Sequence, residues 1–128
     1  GGGRRQRQRW IRDRVEVGQK HHLVIGATVE EDGAEVGIGI ARCIRSGDGD
    51  SAEVAVTVVD DYQHKGLGSL LVAELARFAK TRGIDQFTAY VPAERRSLMN
   101  RLHGRGFEMI ECRDGIALLG FRLPNLAA

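Results

Sequence analysis

Residues 52–91 read AEVAVTVVDDYQHKGLGSLLVAELARFAKTRGIDQFTAYV, and the fold turns on how they are read. AEVAVTVV is an apolar, β-branched run, which predicts a strand over Ala52 to Val59. From Gly66 to Arg82 the period changes. Leu67, Leu71, Leu75 and Phe78 recur every three or four residues, and Leu70, Val72 and Ala79 widen the stripe. That is the pattern of an amphipathic helix. Lys80 and Arg82 suit its last turn, and Gly83 can close it in a left-handed conformation. Gln86 to Val91 then predicts a second strand. Two strands joined through a helix should lie parallel, with a right-handed crossover.

Working outward, HHLVIGATVE (His21 to Glu30) and EVGIGIARCIR (Glu35 to Arg45) are strand-like and flank Asp32-Gly33, a hairpin signal. Ser46 to Ser51 is a loop. Pro92 is expected to open a second helix that carries Leu98 and Leu102 one turn apart, with Gly104 closing it. Phe107 to Cys112 and Ile116 to Leu123 flank Asp114-Gly115 as a final hairpin. Residues 4–16 hold a thin stripe of Trp10, Ile11 and Val15, which predicts a short surface helix. The expected fold class is α/β, or α+β layered. Its sheet is mixed and mostly antiparallel, with a parallel strand–helix–strand unit at its centre.

Composition narrows the function. A chain of 128 residues fits one domain. Residues 4–16 hold six arginines against Asp13 and Glu16, a net of +4. The rest hold 13 Lys+Arg against 15 Asp+Glu, a net of −2. A protein basic on every side, coating nucleic acid, is excluded. Cys43 and Cys112 make neither a disulfide framework nor a zinc site, and both read as buried free thiols. Met99 and Met109 read as core. His21 and His22 are adjacent in a strand and so face opposite sides, which argues against a two-histidine metal site. Asp48-Gly49-Asp50 has Glu53 where a calcium loop needs glycine, so it reads as a plain loop. No metal is expected. No apolar run reaches a membrane span and no signal peptide opens the chain, so a cytoplasmic protein is expected.

Gln63-His64-Lys65-Gly66-Leu67-Gly68 lies between strand and helix. Glycines there let backbone approach a ligand, and the helix N-terminus favours an anion such as pyrophosphate. The alternative is a tight turn that binds nothing. A P-loop needs GxxxxGK followed by Ser or Thr, which does not occur. A dinucleotide fingerprint needs a small residue where Leu71 stands, and an acidic residue ending the next strand, whereas Asp85 begins it. The pattern Gln/Arg-x-x-Gly-x-Gly/Ala is met at every fixed position.

With this loop in this order of elements, and Gly106-Phe107 after the second helix, Ala52 to Gly106 resembles the core of the GNAT superfamily of acetyl-CoA-dependent N-acetyltransferases. The likeness extends more weakly over His21 to Leu123. AEVAV, FTAYVPAERR and HHLVIGA look most like the acetyltransferase domain of bacterial protein-lysine acetyltransferases. The resemblance implies one domain over 1–128, with residues 1–17 a basic segment that is short for the family. It implies that Gln63, His64, Lys65, Gly66, Leu67, Gly68 and Ser69 bind the diphosphate of acetyl-CoA, chiefly through backbone amides from His64 to Ser69. It also implies that the strands at 52–59 and 86–91 splay apart, and that the pantetheine arm pairs with backbone at about Val56 to Val58.

Amine acetylation needs a base, because a lysine amine has an unperturbed pKa of about 10.4. Glu53, a carboxylate in an apolar strand, is the leading candidate. Partial burial there would raise its pKa toward the working range. The alternative is a solvent-facing charge paired with an arginine. A backbone N–H near Val58 or Val59 would serve the thioester oxygen. The tyrosine that many family members carry in the second helix is Leu102 here, and an asparagine near that helix's start is Arg95. Tyr90 and His103 remain as candidate acids. The acceptor is a protein lysine or a small amine, and a homodimer would complete an acceptor site that the short N-terminal segment leaves open. The competing readings are a non-catalytic CoA-binding or regulatory module, and a nucleic-acid partner using the arginine-rich segment.

Overall fold

The computed structural model describes residues 9–17, 20–46, 49–63 and 66–124. Seven strands form one sheet: β1 (Arg9–Val17), β2 (Lys20–Glu31), β3 (Ala34–Ser46), β4 (Ser51–Val58), β5 (Gln86–Pro92), β6 (Glu108–Arg113) and β7 (Ile116–Arg122). Their spatial order is β1-β2-β3-β4-β5-β7-β6. A 3-10 turn (Asp60–Tyr62) leads from β4 toward α1 (Leu67–Lys80), and α2 (Arg96–Gly104) follows β5. Only β4 and β5 pair in parallel; every other neighbouring pair is antiparallel. The mixed, mostly antiparallel sheet with a central strand–helix–strand unit is the architecture that residues 52–91 imply.

The helical stripe explains where α1 sits. Leu67, Leu71, Leu75 and Ala79 are at most 3% exposed. They meet Leu23 and Ile25 of β2, Ala41 and Cys43 of β3, Ala52 of β4 and Phe87 of β5 in one core cluster. Burying each large side chain contributes about 1.5–3 kcal/mol. A Cβ on Gly39 would lie 2.8 Å from Leu71 Cδ1 and 3.3 Å from Leu67 Cδ2, so that glycine lets the helix settle onto β3. A second cluster joins Val91, Phe107, Ala117 and Leu119 to Leu98, Met99 and Leu102 of α2. Both helices therefore lie on one face of the sheet. Among the described residues no helix covers the other face, and Ile40 there is 42% exposed.

Both hairpin signals form as expected. Asp32 and Gly33 have φ of 51° and 79°, and Asp114 and Gly115 have 53° and 78°. Two successive positive values are what a type I′ turn requires. Gly83 at φ 86° ends the α1 region as anticipated.

Four expectations need correction. Residues 9–17 are not helix but β1, in a nine-pair antiparallel ladder with β2 from Arg9↔Thr28 to Val17↔Lys20. A short helix with a three-residue apolar stripe gains little without a packed face. The open edge of β2 instead offers partners to the inward-facing backbone groups of a β-prone Trp-Ile-Val segment. Residues 4–8 of the expected helix lie outside the described residues. Pro92 does not open α2: it ends β5 opposite Ile116, and α2 starts at Arg96 after a turn. Met109 is 55% exposed and Cys112 is exposed, because β6 is an edge strand with solvent on both sides. Gly104 is the last residue of α2, and the left-handed position falls at Gly106, with φ 101°.

No helix among the described residues is long and apolar enough to cross a membrane. Cys43 is buried, and desolvation pushes its thiol up to about 12, opposed by a backbone hydrogen bond from Leu23 and by Arg45. A thiol reagent at about pH 8 should therefore label Cys112 alone in the native chain, and both cysteines in denaturant, as counted by intact mass. Lys80 Nζ lies 2.5 Å from Asp85 Oδ1 and ties the end of α1 to the start of β5. That hydrogen bond and charge hold the Asp85 carboxyl below its ordinary value. A depressed folded pKa stabilises above the unfolded value of about 3.9, and the contribution is lost as pH falls through the lowered one. Asp85→Asn should thus cost stability at pH 7 and little near pH 2, as read from urea midpoints.

Candidate functional site

The site starts where the sheet comes apart. β4 and β5 pair only at Ser51↔Gln86, Ala52↔Phe87 and Glu53↔Thr88. Beyond Glu53 the strands diverge, while each keeps its outer neighbour, β3 on one side and β7 on the other. On the helical face a cleft of about 960 Å³ opens over the gap. Val56 and Val58 form its floor, α1 supplies Val72, Ala73 and Ala76, and α2 supplies Leu98 and Leu102.

Backbone polarity in the gap follows from the β3–β4 ladder. Val59 donates its N–H to the Ile38 carbonyl at 3.0 Å. In an antiparallel pair, residues bonded to one neighbour alternate with residues turned away from it. Val56 and Val58 therefore turn their N–H and C=O groups toward β5, which is no longer within pairing register. Of the two amides considered for the thioester oxygen, that of Val59 is committed to β3 and that of Val58 faces the gap. Gln63 Nε2 donates to the Val58 carbonyl at 3.0 Å and lies 3.3 Å from Asp60 Oδ1.

The first turn of α1 borders the same cleft through Gly66, Gly68 and Ser69. Its first intrahelical bond is donated by Leu70 N–H to the Gly66 carbonyl at 3.1 Å. The amides of Leu67, Gly68 and Ser69 come before it and have no acceptor within the helix. Its N-cap residue, Gly66, has no side chain to cap it, and no capping side-chain bond is made among the described residues. Gly66 is left-handed at φ 83°, and a Cβ on Gly68 would stand 4.0 Å from Val56 Cγ1 and Val58 Cγ2. Leu67 sends its side chain into the core, so only its backbone is available to a ligand. His64 and Lys65 lie outside the described residues.

Glu53 occupies the last paired rung. Its neighbours Ala52 and Val54 point into the helical side, so Glu53 points to the helix-free face. It is exposed, where partial burial was expected, and no arginine pairs with it among the described residues. Thr88 lies beside it, and Tyr90, two residues further along β5 on the same face, is 60% exposed. His103 is exposed on α2 and does not line the cleft, whereas Leu102 does. Sequence reasoning missed Tyr62, Phe107 and Phe121, which line the cleft, and also Arg77, Arg101 and Arg105. The four-residue spacing of Arg101 and Arg105 was the one available signal. Among the described residues no group of three or more His, Cys, Asp or Glu could hold a metal ion.

Residues 3–107 match the model of the acetyltransferase (GNAT) family, and the chain belongs to that family. It is 29% identical over 93 residues to an acetyltransferase of Pseudomonas aeruginosa, covering 73% of this chain and 50% of that protein. It is 42% identical over 66 residues to acetyltransferase Pat of Mycolicibacterium smegmatis, covering 48% of this chain and 20% of Pat. The chain thus spans half the length of the first relative and a fifth of the second. Among solved structures, yncA of Salmonella typhimurium with its cofactor acetyl-CoA superposes with a TM-score of 0.60 at 26% identity, over 84% of this chain and 68% of that one.

The two loop glycines should respond differently to substitution. Gly66→Val forces a branched residue to φ 83° and should lower the unfolding free energy by about 1–3 kcal/mol. Gly68→Ala places its methyl in ordinary contact and should stay within about 0.5 kcal/mol. Urea denaturation measures both.

Proposed function

We propose that residues 1–128 form one acetyl-CoA-dependent N-acetyltransferase domain, which transfers an acetyl group to an amine with Glu53 as general base. The observation that carries this is the divergence of β4 from β5 over a cleft that ends at the free amides of α1. The donor set fits coenzyme A. The amides of Leu67, Gly68 and Ser69, at the positive end of α1, suit its diphosphate. The inward-facing backbone of Val56 and Val58 suits the amides of its pantetheine arm, and the apolar floor suits the methylenes between them. His64 and Lys65 join this set on sequence alone. When bound, acetyl-CoA supplies an acetyl group activated as a thioester.

The protein's own groups divide the remaining work between the two faces of the sheet. Glu53 stands on the helix-free face at the point where the gap begins, so an amine reaching it meets the gap from the side opposite the cleft. Glu53 accepts the proton of the incoming ammonium. An acceptor covering that face supplies the desolvation that the sheet alone does not. Val58 N–H offers a hydrogen-bond donor inside the gap. Of the two candidate acids, Tyr90 shares the face of Glu53 and His103 does not, which favours the Tyr90 hydroxyl as proton donor. The open face accommodates an amine carried on a protein, a small amine, or a second copy of the chain that completes the acceptor site. Leu102, standing in the cleft where relatives often carry tyrosine, favours one other reading: a module that binds CoA without turnover.

Free-thiol release with a panel of lysine peptides and small amines tests the proposal. Glu53→Gln should lower turnover by about 10²-fold or more at pH 7, and by less as pH rises and the amine deprotonates unaided. Tyr90→Phe should lower kcat with the KM for acetyl-CoA unchanged, and His103→Ala should leave both unchanged. A wild-type rate for Glu53→Gln at pH 7 removes Glu53 from the mechanism. Binding of acetyl-CoA with no thiol release from any amine favours the non-catalytic module.

A further inference from the structure

The cleft has a second polar zone that the diphosphate reading does not use. Arg77 of α1, Arg101 of α2 and Arg105, the C-cap residue just after α2, all line it, and no aspartate or glutamate does. Arg101 and Arg105 are four apart and so share one helical face. Arg77 is ten residues beyond Leu67, roughly 15 Å further along α1 from the amides of the first turn. None of the three guanidinium groups forms an ion pair or a side-chain hydrogen bond among the described residues. Arg77 and Arg101 sit in last turns and Arg105 at a C-cap, where a cation complements the helix dipole. That role alone does not require all three to line one cleft. Like charges that line one cleft repel, and a bound dianion offsets the repulsion. Arginine forks match phosphate oxygens in pairs, and a phosphomonoester is close to dianionic at pH 7.

We infer that Arg77, Arg101 and Arg105 form a second anion subsite that takes the 3′-phosphomonoester of coenzyme A, separate from the amides that face its diphosphate. This rests on the reading of the cleft as a coenzyme A site. It adds a selectivity: the chain distinguishes coenzyme A from 3′-dephospho-coenzyme A, which is identical in diphosphate, pantetheine arm and thiol. The two zones also differ physically. The amides of α1 are fixed dipoles on a rigid turn, whereas the guanidiniums are full charges on flexible stems. Salt weakens the second contact much more than the first.

Titration calorimetry with coenzyme A and 3′-dephospho-coenzyme A, on the wild-type chain and on the double variant Arg101→Gln/Arg105→Gln, tests this. The wild type should bind coenzyme A roughly 10-fold to 100-fold more tightly, the worth of charge-assisted hydrogen bonds. The double variant should bring the two ligands within about twofold, with affinity for the dephospho form unchanged. In the wild type, the preference should shrink as NaCl rises from about 50 mM to about 0.3 M. That series involves no variant and stands if the double variant misfolds. Equal wild-type affinity for the two ligands, or a preference that survives the double substitution or the salt, overturns the subsite and leaves the proposed function standing. Failure of the wild type to bind either ligand overturns both.

Discussion

A backbone amide or carbonyl inside a protein must find a partner, and this sheet leaves several without one by design of its topology. β4 is held by β3 along most of its length and by β5 over three rungs only. The inner edges of both strands are therefore left facing a gap. Three features border that gap: the cleft on the helical face, the start of α1 at its far end, and Glu53 and Tyr90 on the opposite side.

Packing holds the gap open. The core is in two clusters, one under α1 and one under α2. α1 is drawn against β2, β3 and β4, where Gly39 lets it approach closely. α2 packs over β5 and β7 and buries no residue completely. Val54 and Phe121 touch both clusters, and Phe121 stacks near Phe107 with ring centroids 5.3 Å apart. Val54 is the first β4 residue beyond the last paired rung, so the strands part where the core divides. Closing the gap would collapse the cleft that separates α1 from α2.

Most of the fold was legible because its signals are local. The switch from a strand-like run to a three-and-four spacing, the two Asp-Gly turns and Gly83 each act over a few residues. β1 was misread because its reason is not local: a thin apolar stripe reads as helix until the open edge of β2 is known to be available. Met109 and Cys112 were misread for a related reason, since apolar character cannot tell a central strand from an edge strand. In the candidate site, the loop glycines announced themselves through spacing. The face on which Glu53 points was not readable, because it depends on register with β3 and β5. Nothing in the sequence sets Arg77 or the Arg101–Arg105 pair apart from solvated helix charges beyond the four-residue spacing of the pair. That they share a cleft follows from how α1 and α2 sit on the sheet.

The Gln63 hydrogen bond to the Val58 carbonyl bears on the molecule's life in solution as well as on its site. A strand with an unpaired inner edge is a template on which another chain could add a strand, and exposed edges of that kind drive aggregation. Here the glutamine amide occupies an acceptor near the open end of β4, and the two helices wall off the rest. The same contact means that the free cleft is already partly satisfied. A group that displaced the glutamine from the Val58 carbonyl would trade one hydrogen bond for another, with little net gain. The glutamine of the loop thus covers one acceptor on a strand edge that would otherwise stand open to a foreign strand.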